Sequence, residues 1–564
     1  MSIADWIVMA GTLAAMILYG LYKSRGQHGA DTYLLADRKM PWYIVLLSVM
    51  ATQASAITFL SAPGQAYTDG MRFVQYYFGL PLAMIVICIF FIPIFQRLQV
   101  FTAYQYLESR FDRKTRLLTA FLFLLSRGLS TGISIYAPSI ILSSIMGWNI
   151  YLTNIITGGL LIIYTLTGGA KAIAHTQKLQ FLIILSAMAI AGYLVVANLP
   201  GNIGFADALY VAGKSGKLNV ITTEFDWKDR YNIWSGIIGG FFLALSYFGT
   251  DNSQVGRYLT AKDTTESRIG LLMNGLVKVP MQFAILLVGA LLFSFYSFYK
   301  APLNFNEAAY EKLKIAQPAQ LAVIENHYEG LHSTYQQQAA DLAANREASV
   351  VGDSFLQNAG NMKVLRDSVQ RMIGRHVSKN DSNDTNYIFL HFVKHSLPQG
   401  LVGLLFAVIF LASWGSISAA LNSLAASSLM DIQLKAGSGK ISEERQLWLG
   451  RMHTLGWGLF CIIVAMFASR MGSLIEAVNI LGSLFYGTIL GIFLVAFFMK
   501  PVKGNSVFIA ALITEAFVVA IYLLDIVSFL WLNVIGALGV MLVAAVMIPF
   551  QSNARHLPGD ISSR

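Results

Sequence analysis

Charge is scarce in this chain. Asp, Glu, Lys and Arg make up 12% of its 564 residues, about half the ~25% usual in a soluble globular protein. That shortage excludes a soluble enzyme of ordinary composition, and the apolar content of 55% with a mean hydropathy of +0.58 agrees. Cysteine is rarer still: Cys88 and Cys461 are the only two, each inside an apolar run. A disulfide framework needs more cysteines at exposed positions, so cysteine reports nothing about compartment. Also missing are a Walker sequence, a His-Glu-x-x-His run, a Gly-x-Ser-x-Gly elbow, a heptad array, a low-complexity tract and any nucleic-acid motif. ATP drive and covalent chemistry are therefore not expected, and the chain reads as something other than an enzyme. Aromatics are plentiful, with 36 Phe, 25 Tyr and 9 Trp. A disordered chain or a coiled coil would carry few of them.

Long apolar runs are what the sequence has instead. A helix needs ~20 mainly apolar residues to cross a ~30 Å hydrocarbon core. Thirteen stretches qualify: 4–22, 42–66, 73–96, 117–146, 148–167, 179–199, 233–251, 272–298, 397–430, 452–469, 473–499, 506–524 and 527–549. The first lacks a basic start and carries Asp5, so it is expected to stay as a span and not to be a cleaved signal peptide.

The net charge of +10 is not spread evenly. Lys23, Arg25, Arg38 and Lys39, then Arg97, Arg110, Arg113, Lys114 and Arg116, then Lys171 and Lys178 fall in alternate loops. So do Arg257, Lys262 and Arg268, then Lys435, Lys440, Arg445 and Arg451, then Lys500 and Lys503, and in the tail Arg555 and Arg564. The short loops on the other side hold only Arg72 and Arg470. Basic loops stay cytoplasmic, which puts the N-terminus outside and the C-terminus in the cytoplasm. Two outside segments are long. Residues 200–232 are a polar loop, and 300–388 are a polar insert. Apolar residues recur at helical spacing from Phe355 to Val377 (Leu356, Val364, Leu365, Val369, Met372 and Ile373), so the insert reads as a small helical cap.

Several spans are rich in small and hydroxyl residues, above all 48–64 and 412–423. Small residues let helices approach closely. The same composition also suits a thin wall around a polar cavity, and carriers use helices broken at mid-membrane whose freed carbonyls bind cations. Ala-Thr-Gln-Ala-Ser-Ala before Pro63-Gly64 is a weak helix centre, so an unwound turn is expected there. An ionisable residue inside a span is a functional candidate by default. Arg127 lies eleven residues into the fourth crossing, near the midplane; it is either tied to backbone and neighbouring helices or a guanidinium clamp for an anion. Lys278 lies nearer the cytoplasmic end of its span, where its stem can also reach the interface.

Four motifs resemble the sodium:solute symporter family. Tyr104-Gln-Tyr-Leu-Glu-Ser-Arg-Phe111 is similar to the family's Tyr-Glu-Tyr-Leu-Glu-x-Arg-Phe, and Ser253-Gln-Val-Gly-Arg-Tyr-Leu-Thr-Ala-Lys262 to its Gln-x-x-x-Gln-Arg-Tyr-Leu-x-Ala. The run from Ala412 through Leu421-Asn-Ser423 to Asp431 resembles its sodium-site helix, and Gly168-Gly169 opens a similar loop. Pro63, Tyr67-Thr-Asp-Gly70 and Ile135-Tyr-Ala-Pro138 look most like the iodide, monocarboxylate and multivitamin branch. The resemblance covers nearly the whole chain outside 300–388. It implies an all-α membrane protein of thirteen transmembrane helices with a LeuT-like core of ten, made of two inverted repeats whose first helices are broken. Residues 1–40 would be an extra helix and cytoplasmic loop, 41–199 the first repeat, 200–232 an external loop, 233–499 the second repeat interrupted by 300–388, and 500–564 two further helices and a short tail.

By the same resemblance sodium is the coupling ion and no organic cofactor is implied. Oxygen ligands suit a hard cation. The matching positions are the carbonyls of Ala51 and Ala54, the carbonyl of Ala412, Gly415, and the hydroxyl of Ser416. Two departures stand out. Gly415 removes a hydroxyl that relatives often have, with Ser413 or Ser418 as substitutes, and Gln177 stands where relatives carry Asp. The first leaves the site to a substitute hydroxyl or water, or weakens it; the second favours one sodium per cycle. Sugar-carrying relatives use amides and an acid, whereas the matching Thr58, Tyr77, Ala244 and Val478 do not repeat that chemistry. The expected pocket of Gln53, Thr58, Tyr76, Tyr77, Arg127, Tyr247 and Lys278 suits a small organic solute with an anionic end: a monocarboxylate, a vitamin acid or an acidic sugar. The reading is sodium-coupled symport by alternating access. A neutral-sugar symporter is the nearest alternative, and a channel, a sodium-independent facilitator or a sensor the more distant ones. No nucleic acid and no obligate protein partner is expected beside the bilayer, sodium and solute. The compact loops and short tail point to a bacterial inner membrane.

Overall fold

A computed structural model describes residues 1–24, 39–98, 102–346, 349–433 and 442–550. Arg25, Arg38, Lys435, Lys440, Arg555 and Arg564 lie outside the described residues, as do the side chains of Lys23 and Lys171. Among the described residues the fold is helical throughout, with one isolated bridge, Met40 to Ala261. Ten helices are long and apolar enough to span a membrane, or eleven with one bent pair taken as a span, and two shorter apolar helices run from Ile150 to Leu166 and from Ser235 to Thr250. Each of the thirteen predicted crossings thus has its helix.

The elements that build the centre are α1 (Ile3–Ser24), α2 (Trp42–Gln53), α3 (Ala56–Asp69), α4 (Met71–Leu98), α5 (Arg113–Met146) and α6 (Ile150–Ala197). They continue with α7 (Ser235–Thr250), α8 (Asn252–Tyr258), α9 (Thr264–Phe298), the insert helices α10 (Glu307–Ala316), α11 (Pro318–Ala344) and α12 (Ser349–His376), and α13 (Ile388–Ser396). Last come α14 (Leu401–Ser427), α15 (Glu443–Ala465), α16 (Leu474–Phe498), α17 (Gly504–Leu523) and α18 (Phe529–Val546).

Two of these spans are broken. α2 and α3 meet at an angle of 60°. At their junction Ser55 N–H donates to Gln53 O at 2.9 Å and Thr58 N–H to Ser55 O at 2.9 Å. In a continuous helix those donors would serve the carbonyls of Ala51 and Ala54. The sequence Ala-Thr-Gln-Ala-Ser-Ala has no leucine-type packing to hold the turn closed, and the break falls within it. The second break is at Asp251, whose extended backbone (φ −75°, ψ 116°) separates α7 from α8. Its carboxylate caps α8 by accepting from Ser253 N–H at 2.7 Å.

The described arms of α6, Ile150–Leu166 and Thr176–Ala197, do not share one straight axis. Tyr164 Oη lies 3.1 Å from Thr176 Oγ1. Twelve residues of straight helix would set those positions ~18 Å apart, so the two predicted crossings are the two arms of this folded element.

Close backbone approach brackets the broken helix. A Cβ on Gly289 of α9 would stand 2.1 Å from Pro63 O, and one on Gly64 would stand 2.0 Å from Thr385 O. α1 is tied to α14 by Asp5, which accepts from Gly400 N–H at 2.6 Å, just before the first turn of α14.

The insert is helical, as expected, and is built of three helices, but only part of the apolar stripe read on α12 is buried. Phe355, Met362, Val369 and Ile373 are buried, whereas Leu356 and Val364 are 42% and 59% exposed. Tyr335 of α11 stacks on Phe355 at 4.6 Å, which selects the face that turns inward.

Arg116 also departs from expectation. Read as a loop cation, it is fully buried at the start of α5, donating to Asp431 at 2.9 and 2.5 Å and to Glu108 at 2.5 Å. Thr102 Oγ1 donates to the same Asp431 oxygen at 2.7 Å. Removing one partner of a buried pair costs about 3–5 kcal/mol, while replacing both by apolar groups is often near neutral. Arg116→Ala is therefore expected to lower the thermal midpoint of the purified protein sharply, and Arg116→Leu combined with Asp431→Leu to recover most of the loss.

Candidate functional site

Halfway along the bundle the break of α2 and α3 faces α4, α5, α7, α9 and α16 across a cavity of about 120 Å³. Gln53, Thr58, Tyr76, Tyr77, Arg127, Tyr247 and Lys278 all line it, so the structure brings together every residue expected at the solute site. Ala244 and Val478 line it too, as do three polar residues that sequence reasoning passed over: Ser55, Asn479 and Tyr486. Asn479 accepts from Tyr76 Oη at 3.2 Å and so joins α4 to α16 across the wall. A single amide or phenol in an otherwise apolar helix gives no spacing signal, which is why these were missed.

The two intramembrane cations differ in their surroundings. Arg127 has a carboxylate partner, Asp251, with Nη1 to Oδ2 at 3.9 Å, and its guanidinium lies 5.7 Å from the Tyr247 ring centre. Asp251 is also held by Tyr486 Oη at 2.8 Å and by Ser253 Oγ at 2.6 Å. The anion that faces Arg127 is thus already present in the protein. Asp251 was legible by the rule that picked out Arg127, but its place at the end of a span hid it.

Lys278 does not reach the interface. It is 1% exposed and turned to the cavity, with its ammonium 5.5 Å from the Tyr77 ring centre. No ion pair or hydrogen bond reaches it among the described residues. One turn before it, Asn274 accepts from Gln53 Nε2 at 3.1 Å, which fixes α9 against the broken helix. The cavity wall therefore carries one lysine amine that no acid of the protein pairs among the described residues.

The residues expected at the sodium site are all buried between α2 and α14. Ala51 and Ala54 carry the carbonyls released at the break. Ser416 Oγ donates to Ala412 O at 3.0 Å, one turn back, which leaves the hydroxyl's lone pairs free. The missing hydroxyl at Gly415 has a structural counterpart. Gln177 spans the two helices: it accepts from Ser48 Oγ at 2.7 Å and donates to Thr52 Oγ1 at 3.2 Å and to Gly415 O at 2.9 Å. A Cβ at residue 415 would stand 2.6 Å from Gln180 Oε1. Of the two substitutes, Ser413 bonds one turn back to Ile409 O at 3.0 Å, just as Ser416 does to Ala412 O, and Ser418 accepts from Thr165 Oγ1 at 3.0 Å.

Towards the insert a second cavity of about 680 Å³ holds Asp69, Lys217, Arg230, Arg366, Asp384 and Glu476 among its walls. Burial pulls the Lys217 ammonium down to about 8. Only a thin layer separates the two cavities. Ser61 Oγ of α3 lies 3.4 Å from Ser473 Oγ and accepts from Ile475 N–H at 3.4 Å, in the first turn of α16. From the insert, Arg366 reaches the broken helix itself, donating to Tyr67 Oη at 3.3 Å and to Asp384 at 2.8 Å.

Comparison with known proteins gives the geometry its context. The family model described as the sodium:solute symporter family matches residues 33–319 and 362–514, leaving out the middle of the insert. A sodium-dependent multivitamin transporter of Oryctolagus cuniculus is 28% identical over 88% of this chain, which spans 66% of that protein's length. A sodium/sialic acid symporter of Proteus mirabilis is 24% identical over 99% of this chain and 97% of its own. The solved structure of a substrate-bound, outward-open Na+-coupled sialic acid symporter superposes with a TM-score of 0.76 at 22% identity, covering 99% of this chain and 100% of that one, and shows the same fold. With apolar helices at every expected crossing and that match over most of its length, this multi-pass membrane protein belongs to the sodium:solute symporter family.

Proposed function

We propose that this carrier imports a small organic anion with sodium, and that the solute's anionic end pairs with Lys278. One observation carries the reading: a buried lysine amine with no acidic partner among the described residues faces the central cavity, while the guanidinium there is matched by Asp251. A charge inside a span is costly unless something compensates it. A carboxylate does so, and a neutral sugar does not. Gln53, Thr58, Tyr76, Tyr77 and Tyr247 then offer hydrogen bonds and ring faces to the rest of the solute, and Arg127 positions Tyr247 beside it.

Sodium binds, in this reading, where Ala51 and Ala54 offer freed carbonyls and α14 offers Ala412 O and Ser416 Oγ. Gln177 occupies the neighbouring polar position with a neutral amide whose N–H₂ points at Gly415 O, so Gly415 contributes space and not a ligand. That supports one sodium per cycle. Sodium holds α2 against α14 and steadies the break that forms one wall of the solute cavity. Each ligand must then raise the affinity of the other by the same factor.

The breaks at Ala54–Ser55 and at Asp251 support two inverted repeats at 41–199 and 233–499, with 1–40, 200–232, 300–388 and 500–564 as additions. The thin layer between Ser61 and Ser473 is then the gate on the insert side. The loop charges support an outside N-terminus and a cytoplasmic C-terminus, and the compact loops support a bacterial inner membrane.

One sodium with a monoanion moves no net charge, whereas one sodium with a neutral solute moves one and draws ~2.3 kcal/mol per 100 mV. Proteoliposomes with an imposed sodium gradient are expected to accumulate a monocarboxylate, vitamin acid or acidic sugar. Saturation excludes a channel, and the sodium requirement excludes a facilitator. A charge-assisted hydrogen bond is worth about 1.5–3 kcal/mol, so Lys278→Met should raise the KM for the anion roughly 10- to 100-fold. Unchanged KM would move the anion site elsewhere. Ser416→Ala should raise the sodium concentration for half-maximal uptake roughly tenfold, the worth of one ordinary polar contact; no change would remove Ser416 from the site.

A further inference from the structure

Between the insert and the helix that leads into α14, two rings and a carboxylate converge. Glu307 opens α10, and His391 and His395 lie four apart on one face of α13. His395 Nε2 is 3.1 Å and His391 Nε2 3.8 Å from the same Glu307 oxygen, Oε1, and the three ligand atoms lie within 4.8 Å of one another. We propose that Glu307, His391 and His395 form a binding site for a divalent transition-metal cation of the zinc class. None of the transport residues is involved, so the proposal stands apart from the transport reading.

The hydrogen bonds behind the rings support this. His395 Nδ1 faces the His391 carbonyl at 3.0 Å, and a carbonyl only accepts, so Nδ1 carries the hydrogen. In the neutral ring the lone pair is then on Nε2, turned towards Glu307 Oε1. A nitrogen lone pair and a carboxylate oxygen at that distance repel unless a cation stands between them. His391 Nδ1 meets Tyr296 Oη at 2.7 Å, a backing contact that leaves Nε2 for a ligand bond. Metal-bound histidines show this same arrangement, with the far nitrogen held by a carbonyl or other polar group.

The distances fit a small ion. Two ligands each ~2.1 Å from a tetrahedral zinc are ~3.4 Å apart, and 3.1 and 3.8 Å fall on either side of that value. Lys394 donates to the other carboxylate oxygen, Oε2, and so leaves Oε1 free while fixing the group's direction. Two imidazoles and one carboxylate suit zinc, nickel or copper, whereas calcium takes six to eight oxygens. The His395 side chain is 45% exposed, which gives an approach and room for a water as fourth ligand. A cation here would link α10, the first insert helix, to α13, which runs directly into α14.

The test uses the full-length, tag-free protein in detergent after chelator treatment. Titration with Co2+ is expected to give the visible bands of a tetrahedral site, and calorimetry with Zn2+ one equivalent bound, with Mg2+ and Ca2+ failing to compete. His395→Ala and Glu307→Gln should each weaken Zn2+ by more than about tenfold, since even groups behind the ligands cost that much. His395 is half exposed and Glu307→Gln keeps the side-chain shape; an unchanged thermal midpoint without metal confirms that each variant is folded. No Zn2+ binding, which would leave only an imidazolium–carboxylate ion pair, overturns the proposal. Binding that both variants leave unchanged overturns it as well.

Discussion

A charge buried in a membrane is costly unless something compensates it, and two ion pairs inside this protein answer that cost. Arg116 has Asp431 and Glu108, and Arg127 has Asp251. These pairs join elements far apart in the chain, and each holds a place where a helix starts or breaks. Arg257 and Lys278 are buried with no acidic partner among the described residues, and of the two it is Lys278 that lies on the cavity wall, beside a tyrosine ring. The same rule that makes the other pairs structural is what supports the proposal that Lys278 receives an anionic solute.

The second constraint is that backbone polar groups need partners, and a broken helix releases some of them. At the junction of α2 and α3 the donors owed to Ala51 and Ala54 turn to Gln53 and Ser55. Two carbonyls are thereby freed beside α14. Gln177 fills the neighbouring polar volume with a neutral amide in place of an acid, and Gly415 gives its carbonyl to that amide and its side-chain space to Gln180. The two departures from the family pattern are therefore one packing arrangement and not two separate losses. In the proposed arrangement sodium and solute would bind on opposite faces of the same break, which gives coupling a short path.

Much of this was legible in the sequence. Composition and run length yielded all thirteen helices, because a bilayer demands long apolar stretches and tolerates little else. The weak centre around Ala54 located the first break, and the cost of buried charge picked out Arg127 and Lys278. The remainder depended on contacts between distant segments. Nothing local told that Asp251 would face Arg127, that Asn479 would reach Tyr76, or that Arg116 would leave its loop for Asp431. The stripe on α12 was misjudged in part for a related reason: helical period was visible, but Tyr335 of another helix decides which face turns inward. The metal-ligand group was missed because Glu307 and His391 are separated by the whole insert.

The most direct test of the central claim is calorimetric titration of the purified carrier with small carboxylates, in sodium and in a sodium-free medium. The account predicts that sodium tightens carboxylate binding, that the carboxylate tightens sodium binding by the same factor, and that uncharged analogues of equal size bind far more weakly. Equal binding of charged and uncharged solutes, or carboxylate binding indifferent to sodium, would contradict it.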